Sequence, residues 1–278
     1  MKPVKVAMIG VGAISGIYLE NITNTFREVE LCGVCDLIPE RAQKGLEYVK
    51  AEQEKGAPVV TPKIYADMFE AFEDPEVEVI LNLTRPYEHY EVTKQALLHG
   101  KHVFSEKPLA VDMQEADELM ELAAKKGLRM GGAPDTFMGA GIQTARKVID
   151  SGMIGDVIGA NCAMVCHGHE TWHPDPEFYY KRGGGPMMDM GPYYGTARVQ
   201  LLGESKGVMG MTKKSFERRI ITSAPHCGEV VDVDVDTYLT GNILFSSGAI
   251  AQIFTTFDVY YGPSAQARFE VYGTRGTL

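Results

Sequence analysis

Over the first 130 residues, short apolar runs alternate with longer amphipathic ones. The runs 4–10 (VKVAMIG), 30–36 (ELCGVCD), 77–83 (VEVILNL), 101–105 (KHVFS) and 128–132 (LRMGG) read as strands, with a shorter one near 59–65. Helices are predicted between them over 13–26, 40–54, 88–99 and 112–126. In the last of these, Met113, Ala116, Leu119, Met120 and Ala123 recur at helical spacing, with Asp and Glu on the other face. Asp112 is its N-cap candidate, with Glu115 three residues on, a box-like start. Strand–helix alternation of this kind builds a parallel sheet with right-handed crossovers and helices on both faces.

After about residue 138 the texture changes. A helix over 139–151 ends at Ser151-Gly152, a strand follows over 156–166, and a segment rich in His, Pro and aromatics precedes a helix over 187–202. The rest reads as long strands over 207–218, 230–245, 248–258 and 267–273, joined by polar turns such as Ser246-Ser247-Gly248. The alternation in "AIAQIFTTFDVY" suits an antiparallel sheet covered on one face. The fold class expected is therefore α/β with a doubly wound parallel sheet over 1–132, followed over 133–278 by an α+β domain with a large, mostly antiparallel open sheet.

Composition narrows the partners. Of the 278 residues, 45% are hydrophobic and 23% charged, which is ordinary globular usage. A net charge of −10 argues against nucleic acid or an anionic membrane surface as the main partner. No apolar run approaches a membrane span, and "MKPVKVAMIG" is too short in its apolar core for a signal peptide, so a cytoplasmic protein is expected. The five cysteines at 32, 35, 162, 166 and 227 form no disulfide framework. Cys32 and Cys35, three apart on one predicted strand, are expected on opposite faces as buried structural thiols.

The first chemical motif is "VAMIGVGAISG". Gly10 permits a tight turn, Gly12 lets a pyrophosphate approach the backbone, and Ser15 and Gly16 are small enough for close helix–strand contact. Ala13 and Ile14 complete the predicted cofactor-binding loop. Asp36 ends the second strand, 20 residues after Gly16. An acid there accepts from ribose hydroxyls and repels a 2′-phosphate, which favours NAD over NADP. Arg41, just behind, keeps NADP open as the alternative. In "HVFSEKPLAVD", Lys107 sits at the end of a strand and before Pro108. A buried ammonium is costly unless paired or used, so Lys107 is either a surface lysine in a loop or a catalytic lysine at the carboxyl edge of the sheet.

Five pieces decide between them: the glycine loop, "NLTRPYEH", "GKHVFSEKP", "IDSGMIGDV" and "GGGPMMDMG", in that order from residue 4 to about 195. Together they resemble the Gfo/Idh/MocA oxidoreductase family (glucose–fructose oxidoreductase, inositol dehydrogenase and relatives). The resemblance implies a two-domain enzyme with nicotinamide at the carboxyl edge of a Rossmann sheet and a sugar or polyol in the interdomain cleft. It implies that Lys107 contacts the reacting hydroxyl and moves its proton. It also implies that Asn82, Thr84 and Pro86 line the nicotinamide and its ribose. His89 and Glu106 are counted at the same cofactor edge. His89 reads as a helix-start residue rather than a catalyst, and Glu106 either orients Lys107 or caps the strand. Pro108 would fix the turn, with a cis bond as the hypothesis.

In "RGGGPMMDMGPYYGTA", Asp189 matches the family's substrate-facing aspartate, while the histidine expected four residues later is Tyr193. A phenol at its usual pKa donates rather than accepts, which weakens a relay role there. Lys107 then acts with Asp189, assisted by Tyr193 or by His173 of "ETWHPDP". The plainer alternative makes Asp189 a helix N-cap or a partner of Arg182. Cys162, Cys166, His167, His169 and His173 fit no zinc spacing, so no metal is expected. That segment reads instead as a substrate loop in which Trp172 or His173 touches the sugar, and Asp135 is a candidate hydroxyl ligand.

The function expected is NAD(P)-dependent oxidation of a CH–OH group on a sugar, polyol or derivative, by a homodimer or homotetramer assembled through the C-terminal sheet. Two alternatives stand beside it: a glycosidase that uses transient oxidation without net redox, and a ligand-sensing homologue without catalysis. The family usually continues past "FEVYGTRGTL", so the resemblance implies either a truncated chain or a sheet that ends early.

Overall fold

The computed structural model describes residues 2–260 and 268–278. The chain divides into two compact units, Met1–Ala133 and Pro134–Leu278.

The first unit runs β1 (Val4–Ile9), α1 (Ser15–Glu20), β2 (Val29–Cys35), α2 (Pro39–Glu54), β3 (Lys63–Ile64), α3 (Met68–Glu73), β4 (Val79–Asn82), α4 (His89–Leu98), β5 (His102–Ser105), α5 (Met113–Lys126) and β6 (Met130–Gly132). The sheet order is β3-β2-β1-β4-β5-β6, with every pair parallel. The order reverses between β1 and β4, which opens a crevice at their carboxyl ends. Register sets Ile9 beside Asn82 and Asn82 beside Ser105, so Gly10, Leu83 and Glu106 leave the sheet side by side. Both faces are covered. Ala7 and Ile9 of β1 pack into one apolar cluster, and Val6 and Met8 into the other.

Three local departures have physical causes. The helix expected over 13–26 starts at Ser15 and continues past Glu20 as a wider π turn over Asn21–Thr25. The short α3 was not anticipated; Asp67 caps it by accepting the Glu70 N–H at 2.9 Å, and Glu70 accepts from Ala66 N–H at 2.6 Å. In β2 the register against β1 steps from Leu31 to Gly33 and skips Cys32. This bulge shifts the alternation by one, so Cys32 packs against the same cluster that holds Cys35 rather than on the opposite face. Burial pushes the Cys35 thiol up to about 11.

The second unit runs α6 (Ala140–Asp150), β7 (Val157–Val165), α7 (Pro186–Asp189), α8 (Gly191–Leu202), β8 (Ser205–Lys213), β9 (Arg218–Ile220), β10 (Val230–Asp232), β11 (Tyr238–Phe245), β12 (Ile250–Thr256) and β13 (Arg268–Gly273). A five-stranded sheet is ordered β13-β7-β12-β11-β8. Only β7–β12 is parallel among its pairs; the others are antiparallel. α6 and α8 cover one side, where Ile154, Leu201, Phe245, Ala251 and Val271 share a core.

The strands expected over 207–218 and 230–245 each divide in two. β8 and β11 stay in the large sheet, while β9 and β10 form a separate antiparallel pair. The division falls in "VVDVDVDTY", where Val233 N–H is taken by Glu217 O and Asp234 N–H by Tyr180 O, away from any ladder of the main sheet. The helix expected over 187–202 also breaks, at Met190. Pro192 lacks the N–H that a continuous helix needs there, and Tyr193 N–H bonds Met190 O at 3.1 Å to begin a new one. Of the strand expected over 267–273, Ala267 lies outside the described residues. Among the described residues, no helix is long and apolar enough to cross a membrane.

Candidate functional site

At the carboxyl edge of the parallel sheet, Gly10 has φ +94, and a Cβ there would stand 2.7 Å from Leu83 O. Only glycine lets the end of β1 lie this close to the end of β4. Gly12 is the opposite case: nothing lies within 4 Å of the place a Cβ would take, so its backbone is open to a ligand. Ser15 ties the loop by donating its hydroxyl to Gly12 O at 2.7 Å. Asp36 reaches the same loop from β2. Its Oδ2 accepts the Val11 N–H at 2.6 Å and its Oδ1 the Ile38 N–H at 2.8 Å. The carboxylate is thus fixed beside the glycine turn, with a second lone pair remaining on each oxygen. Ala13 and Ile14 are exposed on the loop.

Asn82 is fully buried, and its amide is spent inside the protein. It donates to His89 O and Thr93 Oγ1, both at 3.0 Å, and accepts from the Thr84 hydroxyl at 2.7 Å. Asn82 is therefore a brace for Thr84 and α4. Thr84 and Pro86 are half-buried, Pro86 opening a short turn over Pro86–Glu88.

His89 also departs from expectation. It is 1% exposed, and it does more than start a helix. Its Nδ1 lies 2.6 Å from Pro108 O and its Nε2 lies 2.9 Å from Thr84 O. Burial lowers its pKa below the ordinary histidine value, while the two carbonyls pull it back up less strongly. A neutral ring donates from one nitrogen, and the shorter contact assigns that proton to Nδ1.

Lys107 is half-buried just beyond β5. Glu106 ties the turn. Its Oε2 accepts the Lys107 backbone N–H at 3.0 Å, and its Oε1 accepts the Tyr18 hydroxyl at 2.7 Å. The Lys107–Pro108 peptide bond is cis. Lys107 is thereby bracketed by two anchored neighbours: Glu106 tied to α1, and Pro108 tied to His89.

In the second unit the loop after β7 meets α7. His169 Nε2 lies 2.9 Å from Asp189 Oδ2, with the two side chains 13% and 9% exposed. Trp172 donates its indole N–H to His169 Nδ1 at 3.2 Å, while 61% of Trp172 remains exposed. The imidazole is walled by Tyr179 and Phe257, at centroid distances of 4.2 and 4.7 Å. Asp189 closes α7 rather than opening a helix, which removes the N-cap reading. Tyr193 is half-buried in the first turn of α8, on the far side of the Met190 break.

The loop is held from beneath by a buried ionic group. Arg219 pairs with Glu170 at 3.0 Å, Tyr180 donates its hydroxyl to Glu170, and Asp258 lies 3.9 Å from Arg219 and accepts from Thr237 at 2.7 Å. Gly168, at φ +83, lets this group close up; a Cβ there would stand 2.3 Å from the Tyr180 hydroxyl.

His173 belongs to this scaffold. It is buried, its Nδ1 accepts the Asp175 N–H at 3.0 Å, and its carbonyl accepts the Ser223 hydroxyl at 2.6 Å. Burial lowers its pKa. It is therefore not the imidazole that serves Asp189. Asp135 is exposed at a turn over Thr136–Met138, and none of its described contacts joins it to Asp189.

Residues 4–132 match a family model described as an oxidoreductase family with an NAD-binding Rossmann fold, and residues 142–278 match the Gfo/Idh/MocA C-terminal domain. The chain belongs to the Gfo/Idh/MocA family.

Inositol 2-dehydrogenase/D-chiro-inositol 3-dehydrogenase of Lactiplantibacillus plantarum is 34% identical over 153 residues, 54% of this chain and 41% of that protein. D-glucoside 3-dehydrogenase of Escherichia coli is 28% identical over 271 residues, 92% of this chain and 70% of that protein. The stretches matched to the inositol dehydrogenases span less than half the length of those relatives. Among solved structures, levoglucosan dehydrogenase in complex with NADH and levoglucosan superposes at a TM-score of 0.80 and 21% identity, covering 99% of this chain and 72% of that one. At that identity the likeness is one of fold.

Within this Gfo/Idh/MocA chain, the residue that sequence reasoning missed is His169. The available signal was the cluster of three histidines in "HGHETWH". In an irregular loop no periodicity tells which of the three faces Asp189, and the choice is made by Tyr179 and Phe257, remote in sequence.

Proposed function

We propose that this chain is an NAD-dependent dehydrogenase acting on a CH–OH group of a sugar, polyol or related compound. The observation that carries the proposal is Lys107: a half-buried lysine at the carboxyl edge of the sheet, bracketed by Glu106 and Pro108, beside the crevice where the strand order reverses. The glycine loop fits the cofactor. Gly12 leaves open backbone, Gly10 keeps the turn tight, and Asp36 holds a carboxylate beside it. Gly10, Gly12, Ala13 and Ile14 would hold the pyrophosphate, Asp36 the adenosine ribose, and Thr84 and Pro86 the nicotinamide ribose. A carboxylate at Asp36 disfavours a 2′-phosphate, which supports NAD over NADP.

When bound, NAD supplies the hydride acceptor, and the CH–OH group becomes a carbonyl. Lys107 takes the hydroxyl proton at Nζ as the C–H bond breaks, which general-base catalysis makes worth about 10²- to 10⁴-fold. Asp189 accepts a hydrogen bond from a substrate hydroxyl, Tyr193 donates one, and the exposed Trp172 face offers a platform for the C–H face of a ring. The outer face of the second unit's sheet carries Met209 (70% exposed), Met211 (78% exposed), Leu244 and Ile250, which supports assembly of two or more copies through this sheet.

The test is nicotinamide reduction by the purified protein with NAD⁺ and with NADP⁺ over a panel of sugars, polyols and sugar acids, for wild type and Lys107→Ala. Reduction with one substrate group, lost in the variant by at least about 10²-fold, supports the reading. A folded wild type that binds NAD yet reduces none with any substrate overturns it. Release of free sugar from a glycoside without net reduction assigns the alternative chemistry.

A further inference from the structure

Asp189 receives a hydrogen bond whose direction can be fixed from chemistry alone. An indole N–H only donates. Trp172 Nε1 lies 3.2 Å from His169 Nδ1, so that nitrogen presents its lone pair. In a neutral imidazole the single proton is then on Nε2, and Nε2 lies 2.9 Å from Asp189 Oδ2. We infer that Trp172, His169 and Asp189 form a fixed donor chain in which His169 accepts at Nδ1, donates from Nε2 and acts as the positioning residue of Asp189.

The surroundings hold the chain in this sense. Protonating Nδ1 would set one N–H against another at Trp172, so the imidazolium can form only if that contact breaks. Tyr179 and Phe257 pack tilted and edge-on against the ring, at 4.2 and 4.7 Å between centroids. The loop itself cannot drift, because Glu170, next to His169, is locked to Arg219 and Tyr180. Among the described contacts, the ionisable groups near the ring include Asp189 on α7, Tyr179 in the turn over Glu177–Tyr180, and His173 in its own loop. Burial keeps Tyr179 protonated and lowers the pKa of His173. The result is a carboxylate with one oxygen held by the His169 Nε2 donor. The catalytic consequence rests on the dehydrogenase reading above, whereas the tautomer does not.

The first experiment therefore reads the protein without substrate. Imidazole nitrogen shifts of ¹⁵N-histidine-labelled protein are followed by NMR from pH 5.5 to 9, with His169 assigned by its loss in His169→Gln. The expected result is the Nε2–H tautomer throughout the neutral range. In Trp172→Phe, the His169 Nδ1 resonance should shift, because its lone pair loses the indole donor. A proton on Nδ1 in wild type overturns the proposal, as does an unchanged Nδ1 resonance in a folded Trp172→Phe.

The second experiment uses the substrate identified by the reduction assay. His169→Ala should lose about 10- to 100-fold in kcat, the range for a hydrogen bond to a charged group. His169→Gln, which keeps an N–H donor, should recover a large part of that loss. Equal loss in both variants assigns the ring a packing role only and overturns the positioning role. Failure to find any reduction leaves the NMR result standing, so the two readings fail separately.

Discussion

His89 joins two segments that leave the sheet from different strands: its Nδ1 lies 2.6 Å from the carbonyl of Pro108, and its Nε2 lies 2.9 Å from that of Thr84. The first carbonyl belongs to the residue directly after Lys107, the second to the loop after β4. One buried ring thus sets the spacing between the proposed base and the loop beside it. His89→Ala strands the Pro108 carbonyl and opens a cavity. The expected cost is about 2–4 kcal/mol of stability by denaturant unfolding. In the fraction that stays folded, kcat should fall while NAD affinity changes little, because Asp36 and the glycine loop are untouched. His89→Asn, with one donor and less bulk, should lie between wild type and alanine.

Asp36 performs two tasks that mutation can separate. Its Oδ2 holds the Val11 N–H and its Oδ1 the Ile38 N–H, and the carboxylate charge faces the proposed ribose position. Asp36→Asn keeps one acceptor oxygen and removes the charge. Fluorescence titration should show NAD binding weakened by about 10-fold and NADP binding improved, since repulsion of a 2′-phosphate is relieved. Asp36→Ala should weaken both, because the loop loses its anchor as well. An unchanged ratio of NAD to NADP affinity in Asp36→Asn would remove Asp36 from cofactor choice.

Much of the first unit is legible in sequence because its signals are local. The glycine loop, Asp36 and the Glu-Lys-Pro turn are short motifs placed by strand–helix alternation, and β1, β4 and β5 carry them to one edge. What escapes is set by contacts far along the chain. Asn82 and His89 look like ligand-facing polar residues, yet each spends its side chain on buried partners as far away as Pro108. The bulge at Cys32 appears only when β2 is laid against β1. The second unit hides more, since nothing in "VVDVDVDTY" announces that the chain changes sheets there. The choice of His169 over His173 likewise depends on Tyr179, Phe257 and Ser223.

Gly168 gives a test of the buried ionic group beneath the loop after β7. At φ +83 a side chain is strained, and a Cβ would stand 2.7 Å from Arg219 Nη2 and closer still to the Tyr180 hydroxyl. Gly168→Ala should therefore destabilise the protein by about 3–5 kcal/mol, the range for breaking a buried ion pair. Glu170→Gln should cost a similar amount, since it leaves Arg219 charged and buried. Urea unfolding of both variants checks this; a loss below 1 kcal/mol in each, on the scale of an exposed pair, would mean that the loop does not depend on the group.

The pH dependence of stability has a marker away from both candidate sites. Asp74 is buried and accepts from Lys63 Nζ at 2.5 Å, from the Tyr65 hydroxyl at 2.9 Å and from the Glu76 N–H at 2.9 Å. The Lys63 ammonium leads these causes, and together they lower the carboxyl from 3.8 to about 2. A carboxyl whose folded pKa is depressed contributes stability that is present above its unfolded value and is lost as pH falls through the folded one. The contribution of Asp74 is therefore complete above about pH 5 and decays between about 4 and 2. Lys63 is largely exposed, so solvent screens its share, and the buried bonds to Tyr65 and Glu76 carry the rest. Asp74→Asn should lower stability at neutral pH and flatten its slope across the acid window, with the gap to wild type closing toward pH 2. Equilibrium unfolding at fixed ionic strength from pH 7 to 3 reads this directly. A variant curve that runs parallel to wild type across that window would place the acid-sensitive stability of this unit in other carboxylates.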